Sequence, residues 1–329
     1  MLMAGRFKNL IPKTIRSAFG QAVVRAAQID TLVRRIDALE RAVAELSPEI
    51  VPVSPEVDAV IQSFVHTHDL QGLDVAVSKN DLMFQYISRE QPDKAAAYRW
   101  YLESGFQMYQ IVEQIVAHKW GALGHVQSVL DFASGYGRLT RFLVRGLPPD
   151  RVWVAEIKKR AVDFQRAQFG VGGFVSTVSP GELHMDERFD FIFVASLFSH
   201  LPDSTFAPWL QRLCDLLAPR GLIAFSVHDM AREGESSAHN GEQDPRISFE
   251  ATSEEMVLFS EDAALNPDAY GVSSVNEAYV AKVVAALRSG TWRYWRYPKA
   301  LHQRQDLYIL SRDPLDDCAH IPLPRFAGL

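Results

Sequence analysis

Two acids and two glycines near the middle of the chain have the types and spacing of a nucleotide-binding turn. Asp131 ends an apolar run, Gly135 and Gly137 follow it, and Glu156 ends the next apolar run. Glycine lets the backbone adopt positive φ and approach a ligand closely. A carboxylate at the end of the second strand can accept both hydrogen bonds of a ribose diol. The sequence therefore predicts a site for a nucleoside-containing cofactor.

The same turn lacks the marks of two other phosphate-binding loops. A dinucleotide site needs a third glycine at the position of Thr140, and no Gly-Lys-Ser/Thr sequence follows the turn. The missing third glycine and the position of Asp131 before the turn disfavour a pyrophosphate ligand, and the missing Gly-Lys-Ser/Thr excludes a phosphate-binding loop.

Alternating strands and helices surround this turn and must position it. Strands are predicted over residues 126–131, 152–156, 173–178, 189–195 and 222–227, helices over 138–145, 158–169, 206–217 and 275–288, and a closing hairpin over 292–297 and 306–311. Strands that alternate with helices indicate a parallel, doubly wound sheet. We expect an α/β fold with a Rossmann-like, seven-stranded sheet that ends in an antiparallel hairpin.

Four segments, in the right order, resemble the class I S-adenosylmethionine-dependent methyltransferases. Residues 131–137, Asp-Phe-Ala-Ser-Gly-Tyr-Gly, look like motif I of that family, and Glu156 matches its ribose-binding acid. Residues 189–202 resemble its strand-four motif, and residues 216–225 its Leu-Leu-x-Pro-x-Gly-x-Leu entry into strand five. The closing hairpin matches the family's last two strands, so the resemblance extends over about residues 95–313.

The resemblance implies S-adenosylmethionine as cofactor, no metal, and a role for each matching residue. Asp131 would contact the amino group of the cofactor, Glu156 its ribose and Ile157 its adenine. The other implied cofactor residues are Ala133, Ser134, Gly135, Tyr136, Gly137, Ser179, Ala195 and Ser196. The last two would lie beside the sulfur that carries the methyl group. Ser179 departs from the family, which often has an acid at that position.

Methyl transfer from a sulfonium depends mostly on in-line placement and exclusion of water, but a hydroxyl acceptor also benefits from a general base. His200 follows strand four, and His228 and Asp229 follow strand five, at the edge of the sheet where ligands bind. These three are our candidate catalytic residues. The alternatives are that His200 packs or caps at a helix start, and that Asp229 is an N-cap or turn former.

Two segments are candidates for covering the acceptor. Residues 231–274 form a long polar stretch typical of a binding loop, and Tyr270 and Glu277, in or near it, are the candidate acceptor contacts. Residues 56–120 are predicted to be mostly helical, with Gln91-Pro92-Asp93 opening an aromatic-rich helix and Pro92 near its first turn. That helix either packs on the sheet or caps the site.

The N-terminal segment has a different pattern. Apolar residues recur in steps of four and three over residues 15–46, which predicts a short coiled coil and a homo-oligomer; the alternative is a helix packed on its own domain. A basic stripe over residues 6–25 raises the hypothesis of contact with an anionic membrane surface. The expected organisation is a basic helix and coiled coil, a linker with helical segment, a methyltransferase domain and a tail: residues 1–50, 51–95, 96–313 and 314–329.

Charge and composition exclude some classes of partner and indicate a cellular compartment. The net charge of −6 over 329 residues argues against a nucleic-acid partner. Two cysteines, Cys214 and Cys318, suit neither a zinc site nor a disulfide framework. With no apolar run near the roughly 20 residues of a spanning helix and no secretory signal, we expect a cytoplasmic protein, or one peripheral to the inner face of the membrane.

These observations support two functions. The first is methyl transfer to oxygen of a small-molecule or glycan acceptor; the glycan comes from analogy with polysaccharide-pathway methyltransferases that carry helical extensions. The second is a non-catalytic scaffold that assembles partners through its coiled coil. The intact acids and glycines of the turn favour the enzyme, because a scaffold has no physical need for them.

Overall fold

The computed structural model describes residues 50–230, 244–251, 269–288, 290–313 and 321–324. The predicted coiled coil, the basic stripe and most of the predicted tail lie outside the described residues. A compact unit begins at Ile50.

One sheet organises the described part of the chain, where it has nine strands. They are β1 (Val129–Phe132), β2 (Val152–Glu156), β3 (Gly172–Val175), β4 (Phe189–Val194), β5 (Leu217–Asp229), β6 (Ile247–Ala251), β7 (Gly271–Val275), β8 (Arg293–Leu301) and β9 (Gln305–Ser311). Parallel strands run in the order β3-β2-β1-β4-β5, and β9 and β8 continue the sheet as an antiparallel hairpin beyond β5. This confirms the predicted Rossmann-like sheet with its closing hairpin.

The described residues also form seven α-helices and three short 3-10 helices. The α-helices are α1 (Pro55–Thr67), α2 (Leu82–Glu90), α3 (Lys94–Trp120), α4 (Thr140–Gly146), α5 (Lys159–Phe169), α6 (Asp203–Asp215) and α7 (Glu277–Ala285). In these residues no helix is both long and apolar enough to cross a membrane. The predicted helix start near Pro92 is confirmed: Pro92 precedes Asp93, whose side chain caps α3 by accepting a hydrogen bond from the Ala96 amide (2.8 Å).

The central strands are buried on both faces, which explains their continuous apolar sequence. Along β4, Phe191 and Phe193 face one core, and Ile192 and Val194 face the other. A third cluster lies where α1 and α2 pack against α3 and includes the fully buried Tyr98 and Tyr101. Most aromatic residues of α3 therefore serve packing.

A second hairpin, which the sequence did not predict, stands at the end of β5. Strand β7 continues the sheet beside His228 and Asp229, and β6 pairs with β7. The expectation of one long loop over residues 231–274 was therefore wrong for residues 247–251 and 271–274. Strand β6 gives a weak sequence signal because it is a partly exposed edge strand with polar residues at Ser248 and Glu250.

Candidate active site

The predicted cofactor turn joins β1 to α4 and has an unusual backbone. Ala133, Gly135 and Gly137 have φ values of 59°, 57° and 82°. A Cβ on Gly137 would lie 2.4 Å from the Phe169 ring, so glycine is required there for close packing against α5. A Cβ on Gly135 would have no described atom within 4 Å, so this side of the turn is open to a ligand.

Asp131 is buried beneath the turn, and its burial raises the pKa of the carboxyl to about 7. The Thr140 hydroxyl lies 2.9 Å from Asp131 Oδ2 and 2.7 Å from Gln165 Oε1. A hydroxyl has one hydrogen and can donate to one of these two acceptors. The cluster is satisfied when a protonated Asp131 donates to Thr140 and Thr140 donates to Gln165, which agrees with the raised pKa.

Gln165 is a site residue that the sequence reasoning missed. Its amide nitrogen donates to Ser134 Oγ and to the Gly135 carbonyl, both at 2.8 Å, and so holds the turn in place. Its position in the sequence could have indicated a buried polar role, because it lies on the apolar face of α5, four residues after Ala161 and four before Phe169.

Glu156 closes the cofactor side of the site at the end of β2. One carboxylate oxygen accepts from the Gly135 amide (2.9 Å), and the other accepts from the Ile157 amide (2.8 Å). Burial raises its pKa although these backbone hydrogen bonds oppose the shift. Ser179 is exposed beyond β3, whereas the Ser176 amide donates to the Glu156 carbonyl (2.9 Å) and so lies nearer the acid.

The ends of β4 and β5 carry a second hydrogen-bonded cluster. Ser196, which follows Ala195, has a φ of 62°, and its amide donates to Ser226 Oγ (2.8 Å). Ser226 in turn donates to Gln305 Oε1 (2.6 Å). A non-glycine residue at positive φ needs support from its surroundings, which these bonds give at the position predicted to face the cofactor sulfur. Ser226 and Gln305 could not be predicted from the sequence, because the pairing of β9 with β5 brings them together.

His200 lies after β4 and is fixed by β7. Its Nδ1 is 2.7 Å from the Gly271 carbonyl oxygen, and the Gly271 amide donates back to the His200 carbonyl (2.9 Å). Because a carbonyl only accepts, Nδ1 carries the hydrogen and Nε2 has the free lone pair. Burial lowers the pKa of His200, with a smaller contribution from His228, so the ring is neutral and able to accept a proton at neutral pH.

Tyr270 connects this histidine to the cofactor side. Its ring stacks on His200 with a centroid distance of 4.7 Å and an interplanar angle of 19°. Burial and the negative charge of Glu156 both raise the pKa of the Tyr270 phenol. The tyrosine that stacks on the candidate base is therefore also within the electrostatic influence of the candidate ribose acid.

Asp229 and Glu277 are engaged elsewhere. Arg296 binds Asp229 (Nη2 to Oδ2, 2.8 Å), Glu277 (Nη1 to Oε2, 2.8 Å) and the buried Asp306 (Nε to Oδ2, 2.7 Å). This geometry does not support a base role for Asp229 or an acceptor role for Glu277. His228 lies on β5 opposite Ser274, and burial together with the Arg304 charge lowers its pKa.

Comparison with known proteins agrees with this site. Residues 129–221 match the family model described as a methyltransferase domain, which confirms the resemblance to class I methyltransferases. That stretch contains the turn, Glu156 and His200. No curated protein matches the chain.

Solved structures similar to this chain are distant in sequence. The plantazolicin methyltransferase BpumL, in complex with a pentazolic desmethylPZN analog and SAH, has 12% identity over 72% of this chain and 98% of its own, with a TM-score of 0.45. A Burkholderia thailandensis 1,6-didemethyltoxoflavin-N1-methyltransferase has 18% identity over 81% of this chain and 93% of its own (TM-score 0.42). Similarity at this level assigns neither the acceptor nor the methylated atom.

Proposed function

We propose that the protein transfers a methyl group from S-adenosylmethionine to an oxygen of a small-molecule acceptor, with a glycan included in that class. The observation that carries the proposal is the Nε2 lone pair of His200, to which no hydrogen-bond donor among the described residues is assigned, at the sheet edge that also holds the glycine turn and Glu156. The match of residues 129–221 to a methyltransferase domain supports the same reaction class.

The residues on the cofactor side of the proposed site would bind S-adenosylmethionine. An ionised Asp131 would bind the cofactor's amino group, Glu156 its ribose diol and Ile157 its adenine. The open face of Gly135 allows close approach of the methionine part. The sulfonium supplies an electrophilic methyl group, so the protein's task is to place the acceptor in line with it and exclude water.

The acceptor side provides the base. His200 would take the proton of the acceptor hydroxyl at Nε2 as the oxygen–methyl bond forms and the sulfur–methyl bond breaks. The Gly271 carbonyl, 2.7 Å from Nδ1, would stabilise the resulting imidazolium. Tyr270 keeps the ring in place by stacking.

Calorimetric titration with S-adenosylmethionine tests the first requirement of this function. We expect saturable binding by the wild-type protein and its loss in Glu156→Ala, because the ribose then lacks its acceptor. Glu90→Gln, on the exposed face of α2, is the control that should bind normally. A wild-type protein that does not bind S-adenosylmethionine would overturn the proposal. Binding without release of S-adenosylhomocysteine over a broad acceptor set would favour the scaffold instead.

A further inference from the structure

Arg138, the residue that follows the cofactor turn, is a half-buried cation without an acidic partner. Its Nη1 donates to Ser104 Oγ (3.2 Å), and its guanidinium lies 5.8 Å from the centre of the Trp100 ring. Among the described residues no carboxylate lies within 4.0 Å of it. Burial lowers the pKa of Arg138, and the charges of Asp81 and Asp131 partly oppose this shift from a distance, so the guanidinium is a half-buried cation with no direct ion pair beside the proposed site.

Arg304 is a second unpaired cation, in the turn between β8 and β9. It is exposed, and no carboxylate of the described residues lies within 4.0 Å of its guanidinium either. The preceding residues, His302 and Gln303, have φ values of 51° and 56°. The connection has three residues, His302, Gln303 and Arg304, between the paired Leu301 and Gln305. Positive φ at two successive residues with large side chains is uncommon backbone that clusters at functional segments.

The fold brings both arginines to the site. Val227 of β5 and Asp306 of β9 form the last pair of their ladder, and Ser226 of β5 donates to Gln305 Oε1 (2.6 Å), so the turn that holds Arg304 begins beside the end of β5. His302 joins the turn to the surroundings of Arg138. Its Nε2 lies 3.2 Å from the Ser104 carbonyl oxygen, and its ring centroid is 5.6 Å from that of Trp100.

The electrostatics of the histidines reflect these two charges. Burial, Arg138 and Arg304 lower the pKa of His302 to about 3, and Arg304 also lowers the pKa of His228. The histidines are therefore neutral at pH 7, and the two guanidiniums supply the positive charge.

We propose that the methyl acceptor is an anion whose carboxylate or phosphate group binds to Arg138 and Arg304. Guanidinium groups match both kinds of oxyanion with charge-assisted, bidentate hydrogen bonds. The hydroxyl of such an acceptor would then face His200. This inference rests on the proposed function and adds the acceptor's charge to it.

Arginine labelling of the S-adenosylhomocysteine-saturated protein tests the inference. The protein is treated with phenylglyoxal in inorganic phosphate, in acetate or in chloride at equal ionic strength, and modification is read by peptide mass spectrometry. We expect saturable protection of Arg304 by phosphate, acetate or both, and the two arms distinguish the kinds of anion. Arg293, exposed at the other end of β8, is the internal control that should react equally in all three salts.

A variant gives the quantitative form of the test. Arg304→Gln should weaken phosphate binding about tenfold, the effect of one charge-assisted hydrogen bond, and Arg293→Gln should leave it unchanged. Equal protection of Arg304 and Arg293 would overturn the inference. So would protection of Arg304 by S-adenosylhomocysteine alone with none added by phosphate or acetate, because the anion would then be the cofactor's carboxylate. S-adenosylmethionine binding, measured on the same wild-type sample, reports separately on the proposed function.

Discussion

The two sides of the proposed site are built in different ways. The cofactor side is formed by consecutive segments of chain: β1, its glycine turn, β2 and α5, all within residues 129–169. The acceptor side is formed by contacts between distant segments, such as His200 with Gly271 and His302 with Ser104. Because a local motif holds the cofactor site, that site can stay the same when the distant loops and strands that define the acceptor change.

The sharpest way to test this division is to remove the proposed base. His200→Gln should lower kcat about a thousandfold, the usual contribution of a general base, and leave the Kd for S-adenosylmethionine unchanged. The control is His184→Gln, an exposed histidine before β4. Initial rates and calorimetry check both parts. Parallel loss of kcat and cofactor affinity would mean that the two sides are not separable.

The cofactor side can be broken at one glycine of the turn. Gly137→Ala combines positive φ with a Cβ 2.4 Å from the Phe169 ring. We expect it to lower the free energy of unfolding by about 3 kcal/mol and to abolish cofactor binding. Gly135→Ala is the matched variant, with positive φ but open space, and should cost only about 1 kcal/mol. Denaturant titration of the pair would refute this explanation if both variants lost equal stability.

The protonation of Asp131 gives a smaller, pH-dependent effect on the same side. Its folded-state pKa of about 7 lies above the ordinary value of 3.8, so the folded protein holds a proton that the unfolded chain has released. Binding the cofactor's amino group requires the ionised form. The Kd for S-adenosylmethionine should therefore rise up to about tenfold for each pH unit below 7, as titrations between pH 5.5 and 8.5 would show. A Kd that stays constant over that range would contradict the assignment.

The same shift has a consequence for stability with a defined sign. The stabilisation from protonated Asp131 is complete below pH 3.8 and is lost as the pH rises through 7, up to about 4 kcal/mol in all. Asp131→Asn should therefore unfold at higher denaturant concentration than wild type at pH 8 while it binds the cofactor poorly. Glu90→Gln provides the control. If Asp131→Asn were less stable than wild type at pH 8, the surroundings of Asp131 would compensate the negative charge of its carboxylate, contrary to this prediction.

The sequence predicts the locally formed cofactor side better than the residues that are placed by contacts between distant segments. The strands β1, β2 and β4 could be predicted from apolar runs, and the acids Asp131 and Glu156 from their spacing, because Glu156 ends β2 and Asp131 lies one residue before the end of β1. Gln165 and Gln305 could not, because their roles come from packing between elements that are distant in sequence. The sequence predicts Asp229 at the end of β5, but it does not predict that Arg296, 67 residues later, binds its carboxylate.

A substitution at Asp229 should have only a small effect on stability and on kcat. Asp229 is the candidate that the sequence placed at the base position and the structure places in an ion pair with Arg296. Asp229→Asn should lower the free energy of unfolding by only about 1 kcal/mol, since Arg296 keeps Asp306 and Glu277 as partners. Its kcat should change far less than that of His200→Gln. A loss of kcat as large as for His200→Gln, without loss of stability, would return Asp229 to the reaction and make the acceptor side dependent on both β4 and β5.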